Sequence, residues 1–480
     1  MSLFHRSKKR SPKAVWFYRI FFWFRLISLL AIMGAAYQLV TWSHNYDPRF
    51  YQFLGTAPGK ALSNLMEWPN LYNRDMEVKN IEDYNDDEKK WHRTLINRFK
   101  KTRPTHTLFL KNDLQHHVQI VSRTATDLRV REHFGGKGQM ERLIPLSDIV
   151  SLKIYDEPLP DVTLRDIRFQ MEFPDFHLTY FGHYTVLSDA PYFQVAASVQ
   201  ALEKLHANYM DLLGPLIRFP QQDHNLQILF FSNESEYRNH QQNTAPELSH
   251  SVGYYSPLED RMVVFNQQYS DRIKRVQQNM GDDVDELMKL AQNPQQRQQI
   301  LKMQQLADKR LRDHAQSETI ATLRHEGAHH LSYTYGVHSW IHIENAWLIE
   351  GLATYFEVST PGSADGSYLE TLFRLSLEER IPSLSALVEI RQPENFEREL
   401  PGIEGHEAYA LSWSLFHFCM TPENRNNFLG YLADIQDPND IAELMSTPRS
   451  TQLAQHLGMS TQELQTAWMN HIQTLLNGDT

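Results

Sequence analysis

The sequence predicts an α+β protein in three parts: an N-terminal membrane-anchor helix, a small antiparallel β-rich module, and a larger domain whose C-terminal half is largely helical. Three observations predict it. An acid-free apolar stretch fills residues 15–42, short alternating apolar runs fill 105–176, and from 177 onward strands alternate with helices before apolar residues settle into helical spacing. With 480 residues, 41% of them hydrophobic and 22% charged, the chain has enough material to bury a sizeable core in two or three domains.

Residues 1–14, MSLFHRSKKRSPKA, form a basic tail on the cytoplasmic side of the predicted anchor. The next stretch, VWFYRIFFWFRLISLLAIMGAAYQLVTW, has no acidic residue and no charge after Arg25, and Phe21 to Trp42 gives room for one crossing of about 20 residues. The positive-inside rule makes 15–42 a single-pass signal anchor and places the C-terminal domain outside the cytoplasm, in a periplasmic or extracellular space. The small residues of AIMGAA leave a cleaved signal peptide as the alternative, and both readings export the remainder. Seven Lys and Arg up to Arg25 face no acid while the whole chain carries −11, so the remainder carries −18. That balance argues against nucleic acid or anionic lipid as a partner of the exported part. A single cysteine, Cys419, excludes an intramolecular disulfide.

Residues 43–104 read as a polar spacer that ends in a short helix, NIEDYNDDEKKWHRTLINRFKK. Residues 105–176 read as the β-domain, with runs broken at KND, TAT and GGKG; His116 and His117, adjacent on a strand, point to opposite faces. From 177 to 480 a second domain begins with the strand YTVLSDA and a helix opened by Pro191 and closed by Gly214. The strand LQILFFS follows, and DRMVVFN, Asp260 to Asn266, reads as an edge strand along which an extended peptide adds, so that Val264→Pro is expected to weaken peptide binding. A Gln-rich, charged segment near 270–316, interrupted at Pro294, reads as a helical insertion: a solvated hairpin or a partner-binding arm.

The chemistry sits in TLRHEGAHHLSY. His325 and His329, four apart on a helix, lie on one face, and Glu326 between them reaches a water held at the point where the two imidazoles converge. Further on, ENAWLIEGLATYFE has apolar residues at helical spacing, and a second helix packed across the first could deliver Glu350, twenty intervening residues after His329, to the same point. Zinc suits such a set, since it takes nitrogen and oxygen donors tetrahedrally and keeps a fourth position for water.

HEGAHH followed by WLIEGLATYFE resembles the gluzincin metallopeptidases, and the order of segments from His177 to the C-terminus is similar to an exported gluzincin-like family, the DUF1570 type. The resemblance implies a gluzincin-like domain over 177–480, one Zn2+ per chain held by His325, His329 and Glu350, and Glu326 as general base. It also implies an oxyanion donor downstream, for which Tyr409 is the first choice and His406 the second. Glu344, Asn345 and Glu357 are the carboxylate or amide partners available to the ligating imidazoles; His330 is expected to pack or cap, and His338 and His342, in the connection between the helices, read as spectators, with a cleft-facing position as the alternative. The aminopeptidase branch has a Gly-x-Met-Glu-Asn segment before HExxH that this chain lacks, which argues against that exopeptidase activity and leaves an endopeptidase or a very selective hydrolase. Cys419 reads as a packed thiol, GGKG as a turn, and no Gly-x-Ser-x-Gly elbow is present.

The expectation is thus a membrane-anchored, outward-facing zinc metallo-endopeptidase acting on peptides or proteins of the cell envelope. The competing class is a non-catalytic exported scaffold that keeps the same fold.

Overall fold

The structure, a computed structural model, describes residues 81–111, 115–133, 139–156, 158–190, 192–218, 225–249, 251–256, 259–338, 345–436 and 447–478. The chain divides into two compact units, and every element named below lies in the one made of Leu65–Gln436 and Arg449–Thr480.

Helix α1 (Asp86–Thr102) opens on Asn85, which accepts from the Glu88 N–H while Glu88 accepts from Asn85. Asp86 and Asp87 in its first turn and Lys100 and Lys101 in its last complement the helix dipole at both ends. Five strands follow: β1 (His106–Leu110), β2 (Gln115–Arg123), β3 (Asp127–His133), β4 (Gln139–Pro145) and β5 (Ile149–Ile154). They form one antiparallel sheet in the order β4-β3-β2-β1-β5, with Leu108, Val118, Leu128, Val130 and Ile144 as its core.

Helix α2 (Leu164–Glu172) leads into a second sheet, interleaved with helices α3 (Tyr192–Leu213) and α4 (Glu234–Thr244). Its strands are β6 (His177–Phe181), β7 (Tyr184–Ser188), β8 (Leu226–Phe231), β9 (Gly253–Ser256) and β10 (Arg261–Phe265), in the order β6-β7-β8-β10-β9. β7, β8 and β10 run parallel, and β6 and β9 flank them antiparallel. Every residue of β7 and β8 is buried, the mark of strands covered on both faces. Alternate residues divide between two cores: Val186, Ile228, Phe230, Met262 and Val264 join the cluster of α3, while Leu187, Leu229, Phe231, Val263 and Phe265 pack with Leu95 of α1 and Ile167 of α2.

The strand predicted to be an edge is therefore interior. β10 pairs with β8 on one side and β9 on the other, and β9 is the edge. A proline at Val264 would break two ladders and a core position, not a peptide-binding border.

After the sheet, α5 (Asp271–Leu290) and α6 (Pro294–Thr334) form a hairpin, and α6 runs unbroken into the HExxH segment. Then come α7 (Ala346–Phe356), α8 (Gly366–Leu377), α9 (Leu384–Val388), α10 (Phe396–Glu399), α11 (Gly405–Cys419), α12 (Arg425–Gln436), α13 (Arg449–His456) and α14 (Thr461–Asn477). α7 and α11 are pressed together at Gly351: a Cβ there would stand 2.6 Å from the backbone oxygen of Ser412, so only glycine permits the approach.

Among the described residues no helix is long and apolar enough to cross a membrane. The longest, α6, is interrupted by Gln, Lys and Arg along its outer part and buries residues almost entirely in its last sixteen positions, the pattern of a helix with one end on water and the other in protein. The membrane-anchor helix in the predicted fold class, and the single-pass placement with an outward domain, are corrected accordingly: the observed architecture is α+β with two five-stranded sheets. The stretch 15–42 on which that expectation was placed lies outside the described residues, as does the basic tail 1–14.

Candidate metal centre

The inner end of α6 and the whole of α7 build the site. His325 and His329, one turn apart, bring their Nε2 atoms to 3.1 Å. Glu350, in the second turn of α7, places Oε2 at 3.3 Å from His325 Nε2 and 3.7 Å from His329 Nε2. Donors bonded to zinc at about 2.0–2.1 Å in tetrahedral geometry stand roughly 3.3–3.4 Å apart, so the three spacings bracket what one zinc ion requires. All three side chains are at least mostly buried, and Glu350 Oε2 and His329 Nδ1 have no well-directed hydrogen bond within the protein. Buried polar atoms left in that condition are costly unless something else satisfies them, and a cation at the convergence point would satisfy Glu350 Oε2.

The electrostatics favour positive charge there. Burial works against a charged Glu350, yet the imidazoles of His329 and His325 outweigh it and hold the carboxyl down to about 2. Burial likewise opposes a charged His325, and the carboxylates of Glu350 and Glu357 outweigh it, holding that ring well above the ordinary histidine range.

Glu357, the residue that closes α7, orients His325, the first of the three candidate donors. Its Oε1 lies 2.7 Å from His325 Nδ1, and its Oε2 accepts from the Tyr368 hydroxyl of α8 at 2.8 Å. With Nδ1 committed to a carboxylate, His325 presents the Nε2 lone pair to the centre. Of the other two partners considered from sequence, Asn345 donates to the Tyr431 hydroxyl at 3.3 Å, and Glu344 lies outside the described residues. Tyr368 carries no sequence signal; its role comes from the packing of α8.

Glu326 is held from the opposite side. The backbone N–H of Tyr255, on edge strand β9, donates to Glu326 Oε2 at 2.9 Å. β9 can lie this close because Gly253 has no side chain, where an added Cβ would meet Thr322 of α6 at 2.7 Å. Burial pushes the Glu326 carboxyl above its usual range.

A cleft of about 570 Å³, walled by Tyr254, Tyr255, His325, Glu326, His329, Glu350 and Tyr409, opens on one side of β9. A second cavity, of about 700 Å³, shares Ser251, Gly253, His325 and Glu326 with it and reaches the base of the α5–α6 hairpin. Tyr409 thus faces the centre from α11, with its ring 6.0 Å from that of His325. The charge of Glu350, followed by burial, holds its hydroxyl well above the ordinary tyrosine range, so it stays a proton donor. His406 is exposed one turn earlier, 3.1 Å from Arg374, and does not line the cleft.

Behind β9 lies a buried polar cluster that sequence reasoning missed. Asp260, in the β9–β10 turn with φ of 48°, pairs with Arg165 of α2 at 3.1 Å and accepts from the Tyr255 hydroxyl at 3.0 Å. His330 is fully buried, with its ring 4.8 Å from that of Tyr255 and Nε2 3.4 Å from Asp260. His330 therefore packs against the strand that holds Glu326. His338 is buried beside Tyr333, and burial lowers its pKa to about 3; His342 lies outside the described residues. Cys419 is buried in α11, where desolvation pushes its thiol far up and leaves it a packing group.

Residues 319–439 match the family described as "Protein of unknown function (DUF1570)". The chain carries a DUF1570 region. That region spans the inner end of α6 through α12, so it includes the three donors, Glu326, His330, Glu357 and Tyr409; β9, Arg165 and Asp260 lie before it. No curated protein matches the chain.

Proposed function

We propose that the chain is a zinc-dependent hydrolase, acting as a metallo-endopeptidase. The observation that carries this reading is the zinc-like spacing of His325, His329 and Glu350 beside a carboxylate, Glu326, held by the edge strand of a cleft. A zinc ion bound by those three residues supplies a Lewis acid for the substrate carbonyl and a lower pKa for the attacking water. The bond from Tyr255 occupies Glu326 Oε2 and leaves Oε1 to take the proton of that water and pass it to the leaving amine. The Tyr409 hydroxyl, across the cleft, donates to the oxyanion. Two cavities that meet at His325 and Glu326 favour a polypeptide lying across the centre over capture of a chain end.

Elemental analysis of the purified chain tests the reading, with a mixture of internally quenched peptides as the activity probe. About one zinc per chain is expected, largely lost in Glu350→Ala, with cleavage lost in parallel. A folded, unchelated native chain without zinc would overturn the proposal and leave the non-catalytic scaffold.

A further inference from the structure

The α5–α6 hairpin carries exposed apolar residues that are not scattered around it. On α5 these include Leu287 and Leu290, the latter 75% exposed, and on α6 they include Met303, 69% exposed, and Leu306. Eighteen residues make five helical turns, so Leu290 stands above Arg272 and Met303 above Ala321, with Leu287 and Leu306 within about 60° of those lines. Arg272 and Ala321 are cleft residues: both wall the larger cavity that reaches His325 and Glu326. Arg272 also pairs with Glu318 across the root of the hairpin, which fixes the two lines on one side. The apolar face is therefore the outward continuation of the cleft wall; Leu301, also exposed, points the other way.

From His325 to Met303 and Leu306 the helix rises about 30 Å. An extended chain spans that length with about nine residues at ~3.3 Å each. Asp283 and Arg310 share the same face between cleft and tip, so the apolar contact is a second, separate one.

We propose that this face is a substrate-docking site: it takes an aliphatic segment of the unfolded polypeptide whose scissile bond lies at the metal centre, about nine residues away. The inference rests on the peptidase reading, and it assigns the hairpin the task of selecting long, unfolded, aliphatic-rich chains over short peptides.

The test uses the full chain with Leu287→Glu, Leu290→Glu, Met303→Glu and Leu306→Glu combined, and a milder Leu290→Lys variant in case the combination fails to fold. Labelled, denatured casein is titrated against each in a Glu326→Gln background, which binds without cutting, and the affinity for casein is expected to fall about ten-fold or more with the combined variant. With Glu326 intact, the preference for casein over a quenched octapeptide, too short to reach the face, is expected to fall by a similar factor. Equal affinity with and without the substitutions, no casein binding by the parent, or an equal loss on both probes would overturn the docking site. A native dimer that the variant converts to monomer by sedimentation would also overturn it, by assigning the face to a second copy. Arm-dependent casein binding by a chain that cleaves neither probe would keep the docking face and remove the peptidase reading.

Discussion

The two ends of α6 differ more than many separate helices do. Among residues 294–318 only Ala315 is buried, whereas Thr319, Leu323, Arg324, Gly327, Ala328, His330, Leu331, Ser332 and Thr334 are all buried within the last sixteen positions. The outer part is rich in Gln, Lys, Arg, Leu and Ala, which favour helix on their own. The inner part holds Gly327, Ser332, Thr334 and three histidines, which do not, and it is helical because α3, α7 and β9 hold it so. The metal donors thus sit where tertiary packing, not local preference, sets the backbone.

The largest expected effect comes from the inner half. Glu326→Gln is expected to lower peptide cleavage by about 10²–10⁴-fold, the range for a lost general base, while zinc content stays unchanged; activity near native in a zinc-loaded mutant would break the comparison at its centre. Next is packing. Gly351→Ala forces a Cβ against the Ser412 backbone oxygen, which has no freedom to rotate away, and is expected to cost about 1–3 kcal/mol by urea denaturation. The same residue placed at exposed Gln305 in the outer half is expected to change stability by no more than about 0.5 kcal/mol. Equal costs at the two positions would mean that α7 and α11 tolerate repacking as surface does.

The smallest effect is a pH dependence carried by α3. His206 is buried, its Nε2 2.9 Å from the Tyr335 hydroxyl at the end of α6, and burial with the neighbouring His183 lowers its pKa to about 4. The unfolded chain takes up that proton near the ordinary histidine pKa of about 6.5. Its contribution is complete above that pH and is lost as the pH falls from about 6.5 toward about 4, because there the unfolded state binds more protons. Urea midpoints at pH 7 and pH 5 measure the loss, and His206→Gln is expected to reduce it, the remainder belonging to the other histidines whose pKa burial lowers, among them His338 and His471.

What was legible in the sequence depended on whether the information was local. His325, Glu326 and His329 follow from turn counting, and Glu350 from a second helical pattern close behind. Arg165 and Asp260 were not legible, since their pairing spans 95 positions and no local pattern announces it. Strand order failed for a related reason. DRMVVFN read as an edge, although Met262 to Phe265, apolar without alternation, is the mark of an interior strand; the border is β9, the four residues GYYS. The membrane-anchor expectation rested on residues 15–42 alone, and none of the described helices supports it.

The unbroken backbone ladder of α6 makes the hairpin a lever. No proline or glycine interrupts it between Pro294 and Gly327, so no hinge separates the tip from the donors. The tip and His325 therefore belong to one continuous rod about 30 Å long, clamped at its inner end by α3, α7 and β9.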